Sequence, residues 1–156
     1  MISEVITDIL RAAGDKPAAS ASPSLGGGQP SASLDGATVL LVEDEALIGL
    51  DLQFILEEAG ATVLGPIPTL SGAIRAASEE PLDAAILDID LQGEDVFPAA
   101  EVLGERGVPF LFHTGHGRKA ELAASFANAP VCSKPAAPSV LLNTLGDLIG
   151  RRRPHS

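Results

Sequence analysis

Short apolar runs alternate with longer amphipathic segments from Ala37 towards the end of the chain. Each apolar run has the length of a β-strand, and the segments between runs repeat their apolar residues at helical spacing. The pattern predicts five strands, in TVLLV, ATVLG, AAILD, VPFLFHTG and PVCS, and helices at 46–59, 70–78, 96–106, 118–127 and 139–149. Alternating strands and helices, with strands that are continuously apolar, predict a doubly wound α/β domain around a parallel sheet.

Two further segments precede this domain, which we expect at 37–150 and followed by a basic tail at 151–156. Residues 15–36 are rich in Pro, Ala, Ser and Gly, so we expect a flexible linker. Residues 1–14 predict an extra N-terminal amphipathic helix. A helix this short is marginal alone, so its apolar face should pack on its own domain, on a second copy or on a partner protein. That face consists of Ile2, Val5, Ile6, Ile9 and Leu10.

The composition and net charge of the chain limit the functions that the protein can have. The chain has 156 residues, 46% of them hydrophobic, which is enough for one domain with a sizeable core. Its net charge of −11 argues against nucleic acid as a partner and favours cations or basic proteins. The single cysteine, Cys132, allows no internal disulfide, and neither a membrane span nor a secretory signal is visible. We therefore expect a cytoplasmic protein that has no membrane partner.

Residues with functional chemistry follow the predicted strands at their carboxyl ends, where open parallel sheets bind ligands. Glu43 and Asp44 follow the first strand, and Asp88 ends the third. Thr114 and Lys134 follow the fourth and fifth strands. Clustered carboxylates raise one another's pKa, and Mg²⁺ relieves that repulsion by accepting hard oxygen ligands. A carboxylate nucleophile beside a metal ion, a hydroxyl and an ammonium group predicts a phosphoryl-transfer site.

Four motifs carry a family resemblance. LLVEDE, AILDIDL, FHTG and SKP, in this order and each at a strand end, resemble the receiver domains of two-component response regulators. The resemblance covers about 37–150 and implies a flavodoxin-like fold with five parallel strands in the order 2-1-3-4-5. It implies that Asp88 accepts a phosphoryl group, which Thr114 and Lys134 contact. It also implies a set of Mg²⁺ ligands: Glu43, Asp44, Asp88 and the backbone carbonyl of Asp90.

The motifs LDIDLQGE and FHTG are similar to those of a FATGUY-like subgroup of stand-alone receivers common in alphaproteobacteria, some of which act in the general stress response. The resemblance implies a sensor histidine kinase or phosphotransfer protein as donor. It further implies an unidentified downstream protein as target, or a role as a phosphate sink. Asp90 and His116 lie where receivers tune dephosphorylation. Val131 replaces the usual aromatic three residues before Lys134, so we expect signalling through the loop after Thr114.

Two alternatives remain open from the residues. Asp88 and Asp90 form an Asp-x-Asp pair of the kind that haloacid dehalogenase-like phosphatases use. In those enzymes the pair lies on the first strand, whereas here an acid-ended strand precedes it, and only Asp147 follows Lys134 as an acidic group. The second alternative is an adaptor that is never phosphorylated and binds through the N-terminal helix. The receiver reading predicts no enzymatic turnover beyond formation and loss of its own phosphoryl group.

Overall fold

The described part of the chain is an α/β fold. A computed structural model of the protein describes residues 33–115, 125–126 and 128–152. The helices are α1 (Ala46–Glu58), α2 (Leu70–Glu79), α3 (Phe97–Glu105) and α4 (Pro138–Arg152). The strands are β1 (Thr38–Val42), β2 (Thr62–Ile67), β3 (Ala84–Leu87), β4 (Asp90–Leu91), β5 (Glu94–Asp95), β6 (Phe110–Thr114) and β7 (Val131–Ser133).

The main sheet has five strands in the order β2-β1-β3-β6-β7, and every pair in it is parallel. Counted along the main sheet alone, this is the predicted order 2-1-3-4-5. The chain runs outward from β1 to β2 on one side and from β3 to β7 on the other, so the order reverses between β1 and β3. Val42 pairs with Leu87 across that junction, which brings the residues that follow β1 and β3 to one edge.

Both faces of the sheet are covered, as the continuously apolar strands require. Successive strand residues point to opposite faces. Leu40, Leu87 and Phe112 pack with the small residues of α2 and α3, whereas Leu41 and Leu111 pack with α1 and α4. The two cores, made mainly of Leu, Ile, Val and Ala, fix the strand ends that carry the polar residues.

Four phenylalanines form a cluster on the α2–α3 side of the sheet. Phe97, Phe110, Phe112 and Phe126 pack with ring centroids 5.4 to 6.1 Å apart, mostly edge to face. This is the favoured geometry for aromatic pairs. Phe112 is fully buried and lies two residues before Thr114, so the Phe cluster reaches the end of β6.

The sequence pattern predicted the five strands of the main sheet and three helices to within a few residues. It did not predict the β4–β5 hairpin, whose strands have two residues each and are too short to show a periodicity. It also ended the last helix too early: α4 runs through Arg152, whose Nη1 donates a hydrogen bond to the Leu82 carbonyl at 2.7 Å. Arg151 and Arg152 therefore belong to a helix, not to the predicted tail.

The packed body begins earlier than Ala37. Leu34 is buried, and its N–H donates a hydrogen bond to the Ala59 carbonyl at 2.9 Å, so the end of the predicted linker belongs to the core. The predicted helix at 1–14, the rest of that linker and nearly all of the predicted helix at 118–127 lie outside the described residues. Among the described helices, none has the length and apolarity needed to cross a bilayer.

Candidate functional site

Two buried carboxylates lie side by side where β1 and β3 end. The N–H of Asp88 donates to the Val42 carbonyl at 2.9 Å, and the N–H of Glu43 donates to the Ile67 carbonyl at 3.0 Å. These hydrogen bonds extend the strand pairing by one residue on each strand. Glu43 is 2% exposed and Asp88 is 6% exposed. A buried carboxylate destabilises the fold unless a cation or hydrogen bonds compensate its charge, so Glu43 and Asp88 need a positively charged group or hydrogen-bond donors beside them.

Lys134 supplies a compensating charge within the described residues. Its Nζ lies 3.1 Å from Oε1 of Glu43 and 3.2 Å from Oδ2 of Asp88. The backbone N–H of Lys134 donates to the Thr114 carbonyl at 2.7 Å. This hydrogen bond extends the pairing of β6 and β7 and fixes the backbone from which the Lys134 side chain extends. The Lys134–Pro135 peptide bond is cis. The lysine is therefore held at the same edge as the two carboxylates.

Burial and neighbouring charges shift the pKa values of Asp88 and Lys134. Burial, together with a hydrogen bond and the negative charge of Glu43, raises the pKa of Asp88 from 3.8 to about 7, and Lys134 only partly opposes this. Burial alone would lower the pKa of Lys134, but Asp88 and Glu43 outweigh it and raise that pKa. Lys134 thus stays cationic, whereas Asp88 exchanges a proton near neutral pH.

The acidic residues also fit a divalent cation. Glu43, Asp44 and Asp88 each offer a carboxylate oxygen, and the three oxygens lie within 4.8 Å of one another. All three are hard oxygen ligands, the type that Mg²⁺ prefers. A cation among them would also offset the repulsion that raises the pKa of Asp88. The side chains of three of the four predicted ligands therefore form a group that could hold a divalent cation.

A cavity of about 330 Å³ opens over this cluster. Most of the predicted site residues line it: Asp44, Asp88, Asp90, Thr114 and Lys134. The side chain of Asp90 is exposed and its Oδ1 accepts a hydrogen bond from the N–H of Gly93 at 2.9 Å. Thr114 is 7% exposed at the end of β6. Predicted residues from four separate segments of sequence thus meet in one place, while His116 lies outside the described residues.

Two contacts at the site were not predicted. The N–H of Gln92 donates to Oδ2 of Asp44 at 3.1 Å, and Gln92 has a φ of +57°, in the left-handed region. The Gln92–Gly93 pair in the β4–β5 turn was the available sequence signal, because such turns need positive φ. Glu45 lies 3.6 Å from Nζ of Lys134 through Oε1. The first contact ties the turn of the hairpin to the acidic cluster.

Neither a protein-family model nor a curated protein matches the chain, but solved structures do. A response regulator receiver protein from Sinorhizobium medicae WSM419 is 28% identical with a TM-score of 0.70, and the match covers 78% of this chain and 100% of that one. The receiver domain of sensor histidine kinase PA1611 from Pseudomonas aeruginosa PAO1, solved with a magnesium ion in its active-site cleft, is 24% identical with a TM-score of 0.65. That match covers 74% of this chain and 98% of that one.

A third structure reaches higher sequence identity. The signal receiver domain of a modulated diguanylate cyclase from Desulfovibrio desulfuricans G20 is 30% identical, with a TM-score of 0.68. The match covers 76% of this chain and 97% of that domain. The shared fold, the sequence identity over almost the whole of that domain, and the acidic cluster with its lysine agree with one another. The chain therefore belongs to the response regulator receiver domains.

Proposed function

We propose that this protein is a phosphoacceptor of two-component signalling, with Asp88 as the residue that takes the phosphoryl group. The donor is the phosphohistidine of a sensor histidine kinase or phosphotransfer protein. The observation that carries the proposal is the packing of Lys134 against two buried carboxylates at the edge of a cavity, with Thr114 beside them. This places a nucleophile, a cation and a hydroxyl where a phosphoryl group can enter.

The chemistry follows from these groups. An Asp88 carboxylate oxygen attacks phosphorus, the phosphorus–nitrogen bond of the phosphohistidine breaks, and its electron pair returns to the imidazole ring. Lys134 neutralises charge on the phosphoryl oxygens, and the Thr114 hydroxyl donates a hydrogen bond to one of them. Mg²⁺ held by Glu43, Asp44, Asp88 and the Asp90 carbonyl would supply further neutralisation of that charge. In this scheme the protein carries a covalent signal and does not turn over a substrate.

Protonation of Asp88 limits the reaction. Only the carboxylate is nucleophilic, and beside Lys134 but without a bound metal ion its pKa is about 7. Lys134 and a bound divalent cation both favour the ionised form, because each places positive charge beside it. The need to keep Asp88 ionised therefore explains why so many charges converge on this buried residue.

The donor and the target are other proteins. An exposed apolar stripe on α1 lies next to the site and consists of Leu47, Leu50 and Phe54, which are 83%, 58% and 63% exposed. Large apolar side chains in contiguous exposed positions are typical of protein-binding surfaces. This stripe is the surface that the phosphoryl donor contacts. Added charge on Asp88 draws Thr114 and Lys134 towards it, and a downstream partner reads that change.

Labelling with a small phosphoryl donor tests the proposal. With acetyl phosphate and Mg²⁺, the wild-type protein should take up one phosphoryl group per chain as an acid-stable, hydroxylamine-labile acyl phosphate. Asp88→Asn should take up none, while Asp51→Asn, the same change at an exposed position on α1, should label normally. Asp44→Asn should label poorly because it removes a metal ligand. Absence of label in the wild type, from this donor and from a kinase, would instead favour the adaptor reading.

A second assay separates the receiver from a phosphatase. Incubation with a small phosphate ester such as p-nitrophenyl phosphate should give no catalytic turnover. Multiple turnovers that depend on both Asp88 and Asp90 would favour the haloacid dehalogenase-like reading and overturn the proposal. Asp90→Asn should still be labelled by acetyl phosphate, with only the lifetime of the adduct changed.

A further inference from the structure

The β4–β5 hairpin follows Asp88 closely in the chain, and its turn consists of Gln92 and Gly93. Leu91 and Glu94 pair on either side of this two-residue turn. Gln92 has a φ of +57° and Gly93 a φ of +91°, and positive φ at both central residues is the mark of a type I′ turn. Such turns favour Asn, Asp or Gly at the first central position, so Gln92 holds a backbone conformation that its side chain disfavours.

Contacts at both ends of the hairpin hold this turn in place. At the base, the N–H of Val96 donates to the Ile89 carbonyl at 2.8 Å, and both of these residues are buried. At the turn, the N–H of Gly93 donates to Oδ1 of Asp90 at 2.9 Å. A disfavoured backbone conformation persists only where the surrounding contacts determine it, and such conformations are common at functional sites. The turn is therefore a fixed support beside the acidic cluster.

The turn contacts the acidic cluster through one backbone group. The N–H of Gln92 lies in the turn, outside the paired positions of the hairpin, and donates to Oδ2 of Asp44 at 3.1 Å. This hydrogen bond engages one oxygen of the Asp44 carboxylate and leaves Oδ1 for a cation. The hairpin therefore sets the orientation of a carboxylate that belongs to the candidate metal site.

Glu43 is held in the same way. Its Oε2 accepts a hydrogen bond from the N–H of Glu45 at 3.1 Å. Its buried Oε1 has no hydrogen-bond partner within the described residues and lies 3.1 Å from Nζ of Lys134. Backbone N–H groups thus orient two neighbouring carboxylates, Glu43 and Asp44, each through one oxygen. Metal-ligating carboxylates are commonly oriented by hydrogen bonds from outside the ligand set, and loss of such a bond weakens metal affinity.

We propose that the β4–β5 hairpin is a positioning element for the divalent cation, and that the Gln92 N–H holds Asp44 in an orientation that favours Mg²⁺ over Ca²⁺. Mg²⁺ requires near-ideal octahedral geometry, whereas Ca²⁺ accepts more oxygen ligands in flexible arrangements. Loss of the hydrogen bond to Asp44 should therefore weaken Mg²⁺ binding more than Ca²⁺ binding. The inference rests on the proposed function, because it concerns the cation of the same site.

Gly93→Ala and Gly107→Ala form a matched pair of variants. Gly93 has a φ of +91° and Gly107 a φ of +73°, and a Cβ added at either would meet no atom within 4 Å beyond its chain neighbours. Each alanine therefore strains the backbone without a clash, but only Gly93 lies in the hairpin, whereas Gly107 follows α3. Titration of the metal-free full chain with Mg²⁺ and with Ca²⁺, followed by the amide NMR resonances, gives both affinities.

We expect Gly107→Ala to bind Mg²⁺ as the wild type does, and Gly93→Ala to bind it about tenfold more weakly, with a smaller loss of Ca²⁺ affinity. Gln92→Gly keeps the N–H and removes the strain, so its Mg²⁺ affinity should lie within about twofold of the wild type. Far-ultraviolet circular dichroism checks that each variant is folded.

The Gln92 amide resonance gives a second measure, which decides the question if Gly93→Ala does not fold. In the metal-free chain Asp44→Asn should shift this resonance, because it replaces the charged acceptor of the hydrogen bond. Asp51→Asn, at an exposed position on α1, should leave it unchanged.

The inference is overturned if Gly93→Ala binds Mg²⁺ as tightly as Gly107→Ala does, or loses affinity for Mg²⁺ and Ca²⁺ by the same factor. It is also overturned if Asp44→Asn leaves the Gln92 resonance in place. These results would not affect the proposed function, which is tested by labelling of Asp88. A wild type that binds no Mg²⁺ would overturn the inference as well, and the labelling would then decide the proposed function separately.

Discussion

Replacing Asp88 by Asn measures the free-energy cost of holding a carboxylate in the acidic cluster. The pKa of Asp88 is about 7 in the folded chain against an ordinary value of 3.8. At about 1.4 kcal/mol per pH unit, full ionisation destabilises the fold by roughly 4 kcal/mol. Asn has the same shape without the charge, so we expect Asp88→Asn to increase the free energy of unfolding by about 2–4 kcal/mol at pH 8, allowing for local relaxation.

The raised pKa of Asp88 makes the free energy of unfolding of the wild type depend on pH. Between about pH 4 and 7 the folded protein binds more protons at Asp88 than the unfolded chain does, because its pKa is raised. Wild-type stability should therefore fall as the pH rises through this window and level off above it. The advantage of Asp88→Asn should be about 1–2 kcal/mol at pH 5 and reach its full size at pH 8.

Urea denaturation at pH 5 and pH 8 in the presence of EDTA provides the measurement. The chain has no Trp and no Tyr, so far-ultraviolet circular dichroism should report unfolding. Mg²⁺ at pH 8 should stabilise the wild type more than Asp88→Asn. The matched control, Asp51→Asn, should change stability by less than about 0.5 kcal/mol at either pH. The reasoning would be refuted if Asp88→Asn were no more stable than the wild type at pH 8. It would also be refuted if the stability difference between Asp88→Asn and the wild type were the same at pH 5 and pH 8.

Three further substitutions test other parts of the fold by the same denaturation assay. Lys134→Met leaves buried carboxylates unpaired and should cost about 3 kcal/mol at pH 8 but less at pH 5, where Asp88 is protonated; equal losses at both pH values would contradict the ion pairing. Thr69→Ala removes the side-chain oxygen that accepts an α2 N–H at 3.1 Å and should cost about 1 kcal/mol, while serine at that position should retain most of it. Phe112→Ala should cost about 3–5 kcal/mol, whereas Phe54→Ala, at an exposed position, should change little.

The strands and the acidic cluster could be predicted because their causes are local. Continuous apolar runs specify strands that are covered on both faces, and parallel strands bring their carboxyl ends to one edge. The positions of Glu43 and Asp88, each directly after such a run, were therefore sufficient to predict that they meet. The distances of Lys134 from both carboxylates agree with that prediction.

Other features depend on contacts between segments that are distant in sequence. Leu34 is a single apolar residue in a polar segment, and only its position against Ala59 makes it part of the core. Arg152 lies within α4 and donates a hydrogen bond to a carbonyl seventy residues earlier in the chain. The bond from Gln92 to Asp44 likewise requires the hairpin to fold back on β1. No periodicity in the sequence records such contacts.

The Phe cluster gives the protein an intrinsic spectroscopic signal that reports on the end of β6. With no Trp, no Tyr and one cysteine, near-ultraviolet dichroism of this protein arises from phenylalanine alone. Four of the five phenylalanines pack together, and the strand that carries two of them ends at Thr114. A displacement of Thr114 on phosphorylation should therefore alter the fine structure near 260 nm and the ring-current shifts of nearby methyl groups, with no label attached.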